Sequence, residues 1–119
     1  MVIELKGRIP SKKNSKHMVF ARGRSFLISS PQYITWHQEQ SYRLKKIPTP
    51  IKYCAIEIEF YAPDNRKTDL SNKAESIMDL LVDNKILEDD NWFVVKGLAL
   101  LFIKVDKDNP RAIITITEL

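Results

Sequence analysis

The sequence predicts an α+β fold in one domain spanning residues 1–119, and three observations carry that reading. The chain has 119 residues, the size of one domain, since domains commonly hold about 100–150 residues. Segments in which apolar side chains alternate with polar ones are interspersed with two segments of helical periodicity, and a chain of that kind reads as mixed α and β structure. The segments are separated by Pro, Gly, Asn and Asp, residues that favour turns. A chain of this length buries about two-thirds of its unfolded surface, enough for one core without cross-links.

The first strand is marked by Val2, Ile3, Leu5 and Ile9, with Glu4, Lys6 and Arg8 interleaved. Residues 10–17 (Pro-Ser-Lys-Lys-Asn-Ser-Lys-His) read as a basic loop. Met18–Ala21 and Ser25–Ile28 flank Arg22-Gly23-Arg24, a hairpin pattern in which Gly23 supplies the turn. Ser29 or Ser30 followed by Pro31 is a helix start. The helix should run to about Lys46, where Lys45 and Lys46 suit the C-terminal dipole and Pro48 and Pro50 end it. Residues 52–61 give the clearest strand, with Cys54, Ile56, Ile58 and Phe60 on one face. Cys54 is then a small buried hydrophobe. A loop from Ala62 to Thr68 leads to a second helix from about Asp69 to Asn84. Trp92 to about Val105, bent near Gly97, is a further strand, Asp106–Pro110 a turn and Arg111–Thr117 the last strand.

Composition excludes several classes. One cysteine in the whole chain leaves no disulfide framework and no Cys-rich zinc site. No apolar run reaches the ~18 residues of a membrane span, and Met1–Lys6 lacks the layout of a signal peptide, so a cytoplasmic address and no membrane partner are expected. Three glycines form no phosphate-binding loop, which argues against a nucleotide cofactor. His17 and His37 are isolated, and Phe20, Phe26, Tyr33, Trp36 and Trp92 read as packing or interface residues. The net charge of +4 is unevenly placed. Residues 1–52 hold 11 Lys and Arg against two acids, and residues 53–119 hold eight against 13. A basic half suggests an anionic partner; an acidic half in the same small chain suggests a metal.

The second helix concentrates the chemistry. At about 100° per residue, Leu70, Ala74, Ile77, Met78 and Leu81 form a core stripe. Asn72, Glu75, Ser76, Asp79 and Asp83 fall opposite, with Asp69 at the top. Carboxylates at i, i+4 and i+8 repel one another and by themselves make an ordinary solvated face. A second acidic cluster, Glu88-Asp89-Asp90, follows in a loop, and Asp64 to Asp69 mixes acids and bases before the helix. Carboxylates gathered from separate elements are the oxygen donors that Mg²⁺ or Mn²⁺ takes, and such an ion lets an acidic site act on an anionic substrate.

The segments Pro63-Asp64-Asn65-Arg66-Lys67-Thr68-Asp69-Leu70-Ser71-Asn72, Asp79-Leu80-Leu81 and Ile86-Leu87-Glu88-Asp89-Asp90 resemble the RusA family of crossover junction endodeoxyribonucleases. The ends, Ile9 to Asn14 and Ile114 to Glu118, resemble it as well. The resemblance implies a mixed β-sheet packed by two helices, a homodimer, four-way DNA junctions as substrate and Mg²⁺ as cofactor, with Mn²⁺ as a substitute. It also implies a prokaryotic or phage origin. Carried over by position, Asp69 is the first metal-site carboxylate and Asp90 the last, and Asn72, Asp79 and Asp89 also match. Two positions depart: Ser71 stands where the family has its second acid, and Glu75 where it has a Lys. Glu75 then restores the charge lost at Ser71.

The metal ligands expected are therefore Asp69, Glu75, Asp79 and Asp90, with Ser71, Asn72 and Asp89 supporting them and Lys73 stabilising developing charge. DNA phosphates are expected at Lys12, Lys13, Asn14, Lys16, Arg22 and Arg24 in the basic half, and at Arg66 and Lys67 beside the acidic helix. The function expected is metal-dependent hydrolysis of four-way junctions in DNA recombination and repair. The alternatives are a junction- or duplex-binding relative that does not cut, and a module whose basic half binds an acidic protein.

Overall fold

In the computed structural model, which describes residues 1–11, 16–21 and 23–119, the chain runs β1 (Val2–Lys6), β2 (Lys16–Ala21), β3 (Arg24–Ser29), α1 (Pro31–Arg43), β4 (Cys54–Ala62), α2 (Leu70–Asp83), β5 (Val95–Val105) and β6 (Arg111–Glu118). Four strands form one mixed sheet in the order β1-β6-β4-β5, and β2 and β3 form a separate hairpin. β6 pairs antiparallel with both β1 and β4. β4 and β5 pair in parallel, so α2 is the crossover that parallel neighbours require. The fold is α+β with two helices, as the sequence predicts.

The alternation along β4 sets which face is covered. Cys54, Ile56, Ile58 and Phe60 are buried, and so are their neighbours Ala112, Ile114 and Ile116 on β6. Ile56 sits opposite Ile116 and Ile58 opposite Ile114, which joins the two rows into one apolar surface. Onto it α2 lays Ala74, Ile77, Met78 and Leu81, all buried, with Leu70 packed at the margin. Cys54 lies in this core, and burial pushes its thiol pKa up.

Several boundaries differ from the sequence reading. β1 ends at Lys6, short of Ile9, where the next residue, Gly7, takes a positive φ, and β4 runs Cys54–Ala62 rather than 52–61. α1 begins as predicted, with the Ser30 side chain accepting from the Tyr33 amide, but it ends at Arg43 because Leu44 turns extended. Lys46 lies beyond the end and donates back to the Ser41 carbonyl. The predicted basic loop is shorter at its far end, since Lys16 and His17 pair with Ser29 and Ile28 in the hairpin. β5 starts at Val95 because Asn91 gathers the preceding residues into a turn. Its carbonyl accepts from the amides of Val94 and Val95, and its side chain from that of Phe93. The irregularity expected at Gly97 is a register shift, with Cys54 opposite Val95 and Ala55 opposite Gly97.

The candidate nuclease site on the two sides of α2

One side of α2 carries the acids. Ser71, Glu75 and Asp90 line a shallow groove with Trp92, whose indole is 78% exposed. Glu75 comes from the second turn of the helix. Asp90 comes from the loop after it, which is pinned where the Ile51 amide donates to Ile86 and the Glu88 amide to Ile51. Within the loop, Asp89 accepts from the Asp90 amide at 2.7 Å and from Asn91 at 2.8 Å. These bonds hold its carboxyl below the usual range. Asp90 moves the other way, raised first by partial withdrawal from water, then by Asp89 and, further off, Asp79. A carboxylate pushed up by its neighbours is one that a cation would relieve.

The remaining acidic candidates stand apart. Asp69 occupies the N-cap position of α2, exposed, and its side chain makes no capping bond, so the carboxylate is not consumed in holding the helix. Asn72 is half-buried in the first turn. Asp79 is turned toward α1, where it takes the Tyr33 hydroxyl. Burial, Asp79 and Asp83 together push the phenol pKa up to about 12. Asp83 pairs with His37 at 2.8 Å.

Among the described residues, no three His, Cys, Asp or Glu side chains are gathered closely enough to hold a metal ion by themselves. The donor chemistry nevertheless fits a hard dication. Mg²⁺ is commonly held by one or two carboxylates, with water and a substrate phosphate completing its shell. Glu75 and Asp90, two oxygen donors on one groove, meet that requirement.

The other side of α2 carries bases. Residues 73 and 75 are about 200° apart around a helix, and Lys73 accordingly lines a different space, a cavity of about 690 Å³. The structure does not bring Lys73 to the groove of Glu75 and Asp90. Its ammonium donates to the Ile9 carbonyl at 2.6 Å. Its pKa is lowered by burial first and then by Arg8 and Arg66, with Asp64 pulling the other way. Arg66 and Lys67 line the same cavity. Asp64 binds Arg8 at 2.6 Å and Arg66 at 3.0 Å, and its carboxyl is held well below the usual range, by Arg8 first and then by the Arg66 amide.

Ser76 departs from its predicted place on the polar face. It is fully buried, and its hydroxyl donates to the Pro10 carbonyl at 2.6 Å, which fastens the segment after β1 to α2. Two further residues of the basic side have no signal in the sequence. Arg8 reads there as an interleaved strand residue and Arg111 as the start of a strand, and only the fold brings them to Lys73. Lys12, Lys13, Asn14 and Arg22 lie outside the described residues, and Lys16 and Arg24 are described by their backbone in β2 and β3.

Comparison with known protein families matches residues 10–117 to the family described as Endodeoxyribonuclease RusA. No curated protein matches the chain. The match spans most of the 119 residues, and the chain belongs to that family, whose members are endonucleases that resolve Holliday junctions.

Proposed function

We propose that this member of the RusA endodeoxyribonuclease family hydrolyses phosphodiesters of four-way DNA junctions in a Mg²⁺-dependent reaction, with Mn²⁺ as a substitute, in DNA recombination and repair. The observation that carries the reading is the placing of Glu75 and Asp90 on one groove beside Ser71. Glu75 stands where the family has a Lys, so the acid at this position replaces the one lost at Ser71. Glu75 and Asp90 would hold the ion from the groove, with Asp69, carried over from the family pattern, as the further carboxylate; Asp79 is engaged by Tyr33 instead. A bound Mg²⁺ supplies charge neutralisation at the scissile phosphate and a more acidic water.

The chain's own residues do the rest. Asp89, fixed by the Asp90 amide and Asn91, sets the loop that presents Asp90. Ser71 offers a hydroxyl to the same groove, and Trp92 forms its exposed wall. Arg66 and Lys67, with the basic residues of the first half, grip phosphates and make binding steeply salt-dependent. Lys73 acts from its own side of the helix, on a phosphate away from the bond that breaks. Two equivalent strands must be cut in a junction, and a two-fold homodimer presents two equivalent sites. β5 supports a second copy, since it is an edge strand with Leu101 and Ile103 exposed. The reading also carries a prokaryotic or phage cytoplasmic setting, and no helix among the described residues is long and apolar enough to cross a membrane.

A second reading has its own observation: no three-acid cluster forms among the described residues. It makes the protein a binder of junction or duplex DNA that does not cut. A synthetic four-way junction incubated with the protein and Mg²⁺ separates the two. Symmetrical nicks that disappear in Asp69→Asn and Asp90→Asn support the nuclease. A junction retarded in a gel yet intact, with Mn²⁺ as with Mg²⁺, supports the binder. Normal cleavage by Glu75→Gln would remove Glu75 from the ligand set.

A further inference from the structure

The cavity on the basic side of α2 combines two features that one simple ligand would not need together. Its volume, about 690 Å³, falls among those of sites that enclose small molecules, roughly 300–1,000 Å³. Its cations come from four separate segments: Arg8 after β1, Arg66 and Lys67 before α2, Lys73 on the helix and Arg111 on β6. Asp64 is shared between Arg8 and Arg66, and Asp106 answers Arg111 at 2.9 Å, which leaves an excess of positive charge. A phosphate backbone would be content with those groups alone.

The lining is also aromatic. Tyr61 of β4 and Phe102 of β5 line the same space, with the buried Phe60 behind them, and Phe102 is 56% exposed. The Arg111 guanidinium lies 3.6 Å from the centre of the Tyr61 ring, a flat cation on a flat ring that extends the surface on which another ring can stack. Exposed aromatic faces beside Lys and Arg are how proteins hold nucleotides that are not paired, because a base within a duplex has both faces covered by its neighbours.

We propose that this cavity takes an unpaired nucleotide from the branch point of the junction, its base on Phe102 and Tyr61 and its phosphate against Arg8, Lys67 and Lys73. The proposal rests on the junction-binding reading above. It adds a second contact on the opposite side of α2 from the carboxylate groove. The helix then stands between the strand to be cut and a nucleotide drawn out of the stack, and recognition of branched over linear DNA comes from the latter.

The test uses the full chain and a four-way junction in EDTA, so that binding is observed without cleavage. One junction carries 5-iodouracil at the branch point, and another carries it in the middle of an arm. After irradiation, cross-linked peptides are mapped by mass spectrometry, and complex formation is followed separately by gel shift. The branch-point label is expected to cross-link to Phe102 or Tyr61 and the arm label to neither. Phe102→Ala, at an exposed position outside the core, is expected to weaken binding of a single-stranded oligothymidylate about tenfold, and Lys67→Ala to weaken it as well. Thymidine monophosphate at millimolar concentration distinguishes a free nucleotide from a strand: loss of the cross-link only by competition with strand DNA supports the proposal. A junction that shifts in the gel but cross-links elsewhere, or equally from the arm, overturns the cavity assignment and leaves the nuclease reading standing. Conversion of a dimer to a monomer by Phe102→Ala overturns it too, because a second copy would then cover the ring. Failure to shift the junction at all removes both readings.

Discussion

The two sides of α2 present opposite charge and are built in opposite ways. The acidic side draws its donors from the helix and the loop that follows, Ser71, Glu75 and Asp90, all within 20 positions of one another. The basic side assembles Arg8, Arg66, Lys73 and Arg111 from segments more than 100 positions apart. The acids stand on an open, shallow surface; the bases line a larger, half-open cavity. A site made by local periodicity can lose or gain a carboxylate by one substitution, the exchange proposed for Ser71 and Glu75. A site made by tertiary convergence exists only once the sheet has formed.

The widest separation between the sides should appear in cleavage. Glu75→Gln and Asp90→Asn are each expected to lower the rate of junction cutting by more than about a hundredfold, since even groups behind metal ligands cost 10–100-fold when removed. Junction affinity in EDTA should be unchanged or improved by the loss of negative charge. Quenched-flow cleavage beside gel-shift titration checks both. Comparable cleavage by wild type and both variants would break the division of roles.

The next effect concerns how the acidic side is anchored. Tyr33 is buried and its phenol is raised to about 12, so the folded chain favours the neutral ring. That stability is fully present below the ordinary tyrosine pKa of about 10 and is lost as the pH climbs from there toward 12. A shift of this size corresponds to about 2–3 kcal/mol. Urea titrations from pH 8 to 11.5 should show a steeper alkaline fall for wild type than for Tyr33→Phe, and parallel curves would refute the raised phenol, to which burial contributes first and Asp79 next.

On the basic side the effects are smaller and read through salt. Lys67→Ala should reduce the slope of log affinity against log salt by about 0.9 for each duplex phosphate that the side chain no longer neutralises, with little change in the cleavage rate of bound junction. A lower rate at an unaltered slope would move Lys67 to the catalytic side. Smallest is the tether between the sides. Ser76→Ala removes the hydroxyl that meets the Pro10 carbonyl and should cost about 1–2 kcal/mol, measured as a lower urea midpoint.

How much of this is legible in the sequence follows from the same contrast. The alternation in β4 and the 3.6-residue period of α2 place Cys54, Ile58, Ile77 and Leu81 in the core, and the structure buries each of them. Both are short-range patterns that the backbone imposes. Ser76 defeats the helical wheel because its partner, the Pro10 carbonyl, is 66 positions away; a polar residue at the margin of a stripe goes inward when such a partner waits there. Asp79 reads as one of a row of acids, and only the packing of α1 shows that it faces Tyr33. Lys73 looks adjacent to Glu75 in the sequence, but two positions along a helix nearly reverse the direction. The cavity leaves no local signature at all, because Arg8 and Arg111 sit on segments whose pairing no short window reveals.

The strand order has a consequence for how the chain reaches this state. β6, the last strand, fills the slot between β1, the first, and β4. During synthesis β1 has no neighbour in the sheet until Arg111–Glu118 emerges, and β4 has only β5 on one side. Closure of the sheet must then wait until β6 has been made, and the open edge of β4 is exposed to other chains while it waits, the period in which strand edges are prone to aggregate. The outer edge of β5 stays free after closure, and Lys96 and Lys104, one near each end of it, discourage pairing there while leaving its apolar middle for a second copy.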